Sequence, residues 1–206
     1  MYKNSVKRII DILSALFLFI IFLPFWIIVP ILIKLDTPGP VFYKHKRVGK
    51  NGKEFWLFKF RSMVCDADEI LHQKDKQLLE KFKKGDWKLK DDPRITPFGK
   101  LLRNLTIDEF PQIFNVYKGD MSLVGPRAYL KNELEDQAKK YPKTKDYLKT
   151  ILSVKPGITG VWQTSGRNEI SFDKRAKIDY DYARTWTILG DILIMLKTPQ
   201  AMISKW

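Results

Sequence analysis

The sequence predicts an α+β, mostly helical protein in two parts. Residues 1–35 are expected to form a re-entrant membrane helix broken at Pro24, and residues 36–206 a small domain at the membrane surface, with a short β-hairpin and interfacial amphipathic helices. Three observations predict this. An uncharged run of 22 residues, ILSALFLFIIFLPFWIIVPILI, lies between Asp11 and Lys34 and is interrupted by proline. Basic residues flank that run on both sides. Downstream, apolar residues alternate in one stretch and follow a helical period in most others.

As one continuous helix the run would measure roughly 33 Å, enough to cross a bilayer core, so a single spanning anchor is the simpler reading of hydropathy alone. A signal peptide fits poorly, because the run is long and no A-x-A-like site follows it. Two features argue for a bend. Pro24 removes an N–H and displaces the bond to the Ile20 carbonyl, and Pro30 repeats this six residues later. Lys3, Lys7 and Arg8 precede the run, whereas Lys34, Lys44, Lys46, Arg47, Lys50 and Lys53 follow it. A straight span would put one basic flank on the wrong side; a helix that enters and leaves by one face keeps both in the cytoplasm. Arg8 and Asp11, three residues apart, are expected to pair at headgroup level.

Asp36-Thr37-Pro38-Gly39-Pro40 is a dense turn signal and closes the membrane segment. The runs VFYKHKRVG and EFWLFKFRSM, joined by Gly49-Lys50-Asn51-Gly52, predict a hairpin. Ile70, Leu71, Leu78, Leu79 and Phe82 predict one amphipathic helix over 66–84, closed by Gly85. A short helix is expected over 98–104, and another from Thr106 to about Lys118. Residues 133–141, 145–152 and 172–186 read as helices, 155–160 as a turn and 161–164 as a short strand. The apolar tail, 188–196, is too short to span and suits a helix lying in the interface.

Composition narrows the partners. Lys and Arg number 37 against 23 Asp and Glu, a net charge of +14, and 45% of residues are hydrophobic, which excludes wholesale disorder. One cysteine, Cys65, excludes a disulfide framework and a multi-Cys zinc site, and His45 and His72 are too few for a His-rich metal site. The basic excess points to nucleic acid, anionic lipid or a phosphorylated small molecule.

Neither GxGxxG, a Walker A sequence, HExxH nor G-x-S-x-G occurs. What stands out is Asp108-Glu109 at a helix start. A capping box, with Thr106 as N-cap and Glu109 at N3, fits the spacing but accounts for neither Asp108 nor Pro111. A carboxylate in a first turn is held ionised there, and the same N–H groups can receive a phosphate. That suits an aspartate that attacks phosphorus or binds a metal-phosphate. Arg94 and Arg103 lie nearby. Arg127 and Arg167 follow glycine turns, where a guanidinium can meet a phosphate bidentately. Asp173, Asp179, Asp181 and Asp191 are further metal or structural candidates. Mg²⁺ needs only one or two carboxylates plus ligand phosphates.

Together the stretches KRIID, FYKHKRVGKNGKEFWLFKFRSM, DPRITPFGKLLRNLTIDEFPQIFNVYKGDMSLVGPR, VKPGITGVWQTSGRNEISF and KIDYDYA resemble the bacterial sugar transferases, the monotopic phosphoglycosyl transferases, from Lys7 to about Asp191. The resemblance implies transfer of a sugar phosphate from a UDP-sugar to polyprenyl (undecaprenyl) phosphate, an early membrane step of glycan assembly, on the cytoplasmic face of a bacterial inner membrane. It implies that Asp108 is the nucleophile and forms a covalent phospho-sugar intermediate. Asp108 and Glu109 would hold Mg²⁺, or Glu109 would assist the lipid acceptor. Arg103, Arg127 and Arg167 would cradle phosphates, with Asp179 and Asp191 in support. Lys7, Arg8, Asp11 and Pro24 would belong to the membrane segment, on an anionic lipid surface. No nucleic-acid partner is implied, and a homo-oligomer stays open. The segment between Met63 and Pro93 resembles that of members using hexoses such as galactose or glucose. Many relatives carry Ser-Pro at the helix break, where this chain has Leu23-Pro24. Two other readings compete: direct transfer with Asp108 only a metal ligand, and a non-catalytic, membrane-anchored basic binding protein.

Overall fold

The computed structural model describes residues 2–87, 89, 91–166 and 170–202. Two helices, α1 (Tyr2–Ile21) and α2 (Leu23–Asp36), occupy the apolar N-terminus and are bent by 62° at the residue between them. Among the described residues no single helix is long and apolar enough to cross a membrane; the bent pair together passes by length and composition. The break falls at Phe22. Pro24 sits in the first turn of α2, where a missing N–H costs nothing, and Pro30 is carried inside the helix. Ile9, Leu13, Phe17 and Ile20 form one exposed apolar face of α1.

The charges of α1 turn the other way. Arg8 donates to the carbonyls of Val116 and Tyr117, at 2.6 and 3.1 Å. Asp11 is buried and accepts from Ser122 Oγ and Leu123 N–H. The expected Arg8–Asp11 pair is therefore not formed. Carbonyls at a helix C-terminus attract a guanidinium, and a buried carboxylate takes the donors nearest to it. Lys7 pairs with Asp191.

The hairpin forms as expected, from β1 (Phe42–Val48) and β2 (Glu54–Phe60), antiparallel, with Tyr43 opposite Lys59, His45 opposite Leu57 and Arg47 opposite Phe55. Asn51 and Gly52 supply the positive φ of its turn. The single helix expected over 66–84 is instead broken into α3 (Ala67–Glu69), a π-turn (Ile70–Lys74) and α4 (Lys76–Lys84). Asp75 is the reason: its side chain accepts from Leu78 N–H at 2.8 Å, so the residue is an N-cap rather than a mid-helix position. Gly85 ends α4 at φ −81°, and the left-handed step falls on Asp86 and Trp87.

Then follow α5 (Pro97–Asn104), capped by Thr96, a 3₁₀ turn (Ile107–Gln112) and α6 (Ile113–Lys118). Beyond them lie β3 (Ser122–Val124), α7 (Lys131–Lys140), α8 (Lys145–Ile151), β4 (Gly157–Thr159), α9 (Val161–Thr164), α10 (Phe172–Thr185) and α11 (Ile188–Met202). The strand expected over 161–164 is helical, and the strand lies earlier, in the expected turn, where β4 runs parallel to β3. Two glycines permit this: a Cβ on Gly157 would stand 2.1 Å from Gly125 N. On α11, Leu189, Ile192, Leu193 and Leu196 are exposed along one side. The tail helix extends beyond the nine residues predicted for it. A core of Val29, Ile33, Phe60, Leu102 and Ile107 joins α2 to the hairpin and to the start of the 3₁₀ turn.

Candidate active site

The turn carrying Asp108 and Glu109 is 3₁₀ rather than a capped α-helix. Thr106 adopts a left-handed conformation (φ 58°), and its hydroxyl donates to the Met202 carbonyl instead of capping. Pro111 has no N–H to offer the α-helical ladder. The expected capping box is absent because Glu109 turns to Lys59, whose Nζ lies 2.7 Å from Glu109 Oε1 and 3.5 Å from Asp108 Oδ2. Asp108 is buried, at 4% exposure. Burial raises its pKa above the ordinary carboxylate range and Glu109 adds to the rise, while Lys59 and Arg103 oppose it. The expectation of a carboxylate held ionised by a helix start is thus reversed. Lys59 and Arg103 supply the positive charge.

The hairpin provides more of that charge than sequence reasoning found. Alternation and register put Tyr43, His45, Arg47 and Lys59 on one face. Arg47 Nε–H donates to His45 Nε2 at 2.7 Å, and its Nη1 donates to the Ala128 carbonyl at 3.0 Å. Burial, followed by Arg47, Lys59 and Arg127, holds His45 neutral. Burial and then Arg127 push Arg47 down to about 10, with Glu133 opposing. Three cations therefore stand within electrostatic reach of one imidazole. Part of that charge is already paired, Arg47 with Glu133 at 3.8 Å and Lys59 with Glu109 at 2.7 Å, and an anion would offset the remainder. No hairpin residue was singled out for chemistry from the sequence, although the period-two alternation around Asn51-Gly52 already placed these four together.

Arg127 is fixed through its backbone: its N–H donates to Asp179 Oδ2 at 3.1 Å, beside the Tyr129 hydroxyl at 2.6 Å. Its guanidinium lies over the Trp162 ring at 5.3 Å, and its buried Nε has no hydrogen-bond partner among the described residues. Asp179 is deeply buried, and desolvation pushes its pKa up to about 6 against those two hydrogen bonds. Arg103 donates to Ser62 Oγ at 2.9 Å. Asp191 is held by Lys7 and the Tyr182 hydroxyl, where it ties α11 to α1. Arg94 is buried and closes an ion pair with Asp92. Arg167 lies outside the described residues.

No group of three or more His, Cys, Asp and Glu converges among the described residues, so a metal caged by protein alone does not fit. Asp108 and Glu109 are the carboxylates that would hold a Mg²⁺ arriving with phosphate oxygens, at the position where the Lys59 ammonium now bridges them.

A family model described as bacterial sugar transferase matches residues 2–205. An undecaprenyl-phosphate galactose phosphotransferase of Salmonella typhimurium is 42% identical over 98% of the chain, which covers 41% of that relative. The galactosyl transferase CpsE of Streptococcus agalactiae is 44% identical over 98% of the chain, covering 44% of the relative. The exopolysaccharide production protein ExoY of Sinorhizobium fredii is 39% identical over 97% of the chain, covering 86% of the relative. The chain thus spans about two-fifths of the length of the first two relatives and most of the third.

Proposed function

The chain belongs to the bacterial sugar transferase family, and on that premise we propose that it moves a hexose 1-phosphate from a UDP-sugar to undecaprenyl phosphate through a covalent intermediate on Asp108. The observation that carries this reading is the buried Asp108 beside Lys59, with cations of the hairpin close by and a bent apolar helix pair packed against the same turn. Asp108 Oδ attacks the sugar-bearing phosphorus. The bond to the bridging oxygen breaks, and UMP leaves with the electron pair. A phosphate oxygen of the lipid then attacks the same phosphorus and displaces Asp108. Splitting the transfer lets a water-soluble donor leave before a lipid acceptor enters.

Each side chain has a task in this scheme. Lys59 and Arg103 offset part of the effect of burial on Asp108, which lowers the cost of the ionised form that attacks. Arg127 and Arg47 meet the diphosphate, and Arg167 is assigned the same task. Asp179 positions Arg127 through its backbone N–H, and Asp191 anchors the membrane helix through Lys7. Mg²⁺ held by Asp108 and Glu109 would offset phosphate charge as UMP departs. The scheme is tested with the full chain, undecaprenyl phosphate, Mg²⁺ and a panel of UDP-sugars headed by UDP-galactose, since two relatives bear that sugar in their names. Expected products are UMP and undecaprenyl diphosphate sugar. Failure with the whole panel would favour a non-catalytic binding protein.

The same proposal makes α1 and α2 a re-entrant hairpin in the cytoplasmic leaflet of a bacterial inner membrane. The 62° bend, the exposed apolar faces and the basic residues at both ends support it. Cysteines placed at Tyr2 and at Lys53, in a Cys65→Ser background, should both resist a membrane-impermeant thiol reagent in intact cells. Labelling at Tyr2 alone would mean a true span. Pro24→Ala should shift the population toward that span.

A further inference from the structure

The aromatic side chains at the helix break touch the turn that bears the carboxylates. The Phe22 ring lies 4.5 Å from that of Phe110, and Phe25 meets Phe110 edge-on at 6.0 Å and Phe22 edge-on at 5.8 Å. Phe110 follows Glu109 directly in the 3₁₀ turn. The other side of the ion pair is held from the same helix. Trp26, one turn past the break, lies 5.4 Å from Phe60, the neighbour of Lys59 on β2, and 5.3 Å from Phe114 of α6. At the break itself, Phe22 N–H reaches the Leu18 carbonyl and Phe25 N–H the Phe22 carbonyl, both at 2.9 Å. No side-chain cap assists them, for Phe22 stands at the N-cap position without a side-chain hydrogen bond.

We propose that Phe110 is a positioning residue: Phe22, Phe25 and Phe110 form a bracket that locks the helix break to the turn presenting Asp108 and Glu109. The seat of the broken helix then sets the aim of both carboxylates, and Trp26 against Phe60 holds Lys59 in register with them. Edge-on and tilted ring contacts are directional, so they restrain rotation of the turn where an aliphatic chain of similar size only fills space. A nucleophile must sit within a fraction of an ångström of its attack line, which is why such restraint is felt in kcat. The inference rests on the proposed sugar-phosphate transfer at a membrane.

The test uses the full chain in phospholipid nanodiscs with UDP-sugar, Mg²⁺ and undecaprenyl phosphate. Phe110→Leu keeps the apolar volume and loses the ring. It should lower kcat by about tenfold while KM for the UDP-sugar stays within about twofold. Phe110→Tyr, which keeps the ring, should recover most of the loss. Phe22→Leu combined with Phe110→Leu should be no worse than the worse single variant, because the two rings act as one unit. Independently of activity, hydrogen exchange in peptides covering 107–112 should accelerate alike in both single variants. Wild-type kcat in Phe110→Leu, a loss carried wholly by KM, strictly additive losses or unchanged exchange would each overturn the bracket. A wild-type chain that transfers no sugar phosphate sinks the underlying reading instead, and the exchange measurement still decides the bracket.

Discussion

Asp108→Asn should abolish turnover, by about 10³-fold or more, and with it the covalent adduct. Asparagine matches aspartate in size and can accept the same donors, so the turn survives while the anionic nucleophile is lost. With wild-type protein, UDP-sugar and Mg²⁺ but no lipid, about one UMP per active site should appear in a burst, since the first displacement needs no acceptor. Sugar phosphate should remain on the peptide containing Asp108 and Glu109, as an acyl phosphate labile to hydroxylamine. The pH dependence has a definite sign. Only ionised Asp108 attacks, and burial lifts its pKa above the ordinary carboxylate range. The burst rate should therefore fall on acidification sooner than it would for an exposed aspartate. Lys59→Met removes a cation that opposes the rise, so that fall should move to higher pH. Glu109→Gln should keep the fold and impair Mg²⁺ use or the acceptor step. Substantial turnover in Asp108→Asn, or UMP released only when lipid is present with no trapped adduct, would mean direct transfer.

How much of this was legible without coordinates differs by element. The hairpin was readable because alternation and Asn51-Gly52 are local signals that tertiary contacts seldom override. The bend in the apolar run was readable from Pro24 and the flanking charges, though its seat at Phe22 depends on ring contacts with Phe110, far along the chain. The break at Asp75 was missed because the apolar spacing reads continuously across it, while one side-chain oxygen competing for Leu78 N–H decides the outcome. The parallel pairing of β3 and β4 depends on Gly125 and Gly157 approaching at backbone distance, which no spacing announces. In the site, Asp108 and Glu109 stood out as a pair, but their partner Lys59 is about fifty positions earlier and looks like any basic strand residue. Arg8 and Asp11 show the converse. Sequence proximity suggested a pair, and burial sent each to a different partner.

Arg127→Ala should lower catalytic efficiency by on the order of 10²-fold or more, as expected when a charge-assisted phosphate contact is lost. The structure gives a reason beyond residue type. The backbone of Arg127 is tethered to buried Asp179, its guanidinium rests over Trp162, and its Nε is buried with no hydrogen-bond partner among the described residues. A tethered backbone with an unfilled donor is pre-organised, so a phosphate oxygen gains the contact without ordering the arginine first. Arg127 also stands close enough to Arg47 to help push it down, with Glu133 opposing, so a diphosphate entering beside Arg127 meets a second guanidinium. Arg127→Lys should rescue poorly, because an ammonium can neither stack on the indole as a planar fork nor offer two parallel donors. Asp179→Asn offers the internal control. It keeps the size of the side chain but weakens the grip on the Arg127 N–H, so it should reduce efficiency less than Arg127→Ala, and the double variant should be no worse than Arg127→Ala alone. Near-normal efficiency in Arg127→Ala would return this arginine to a structural role over Trp162.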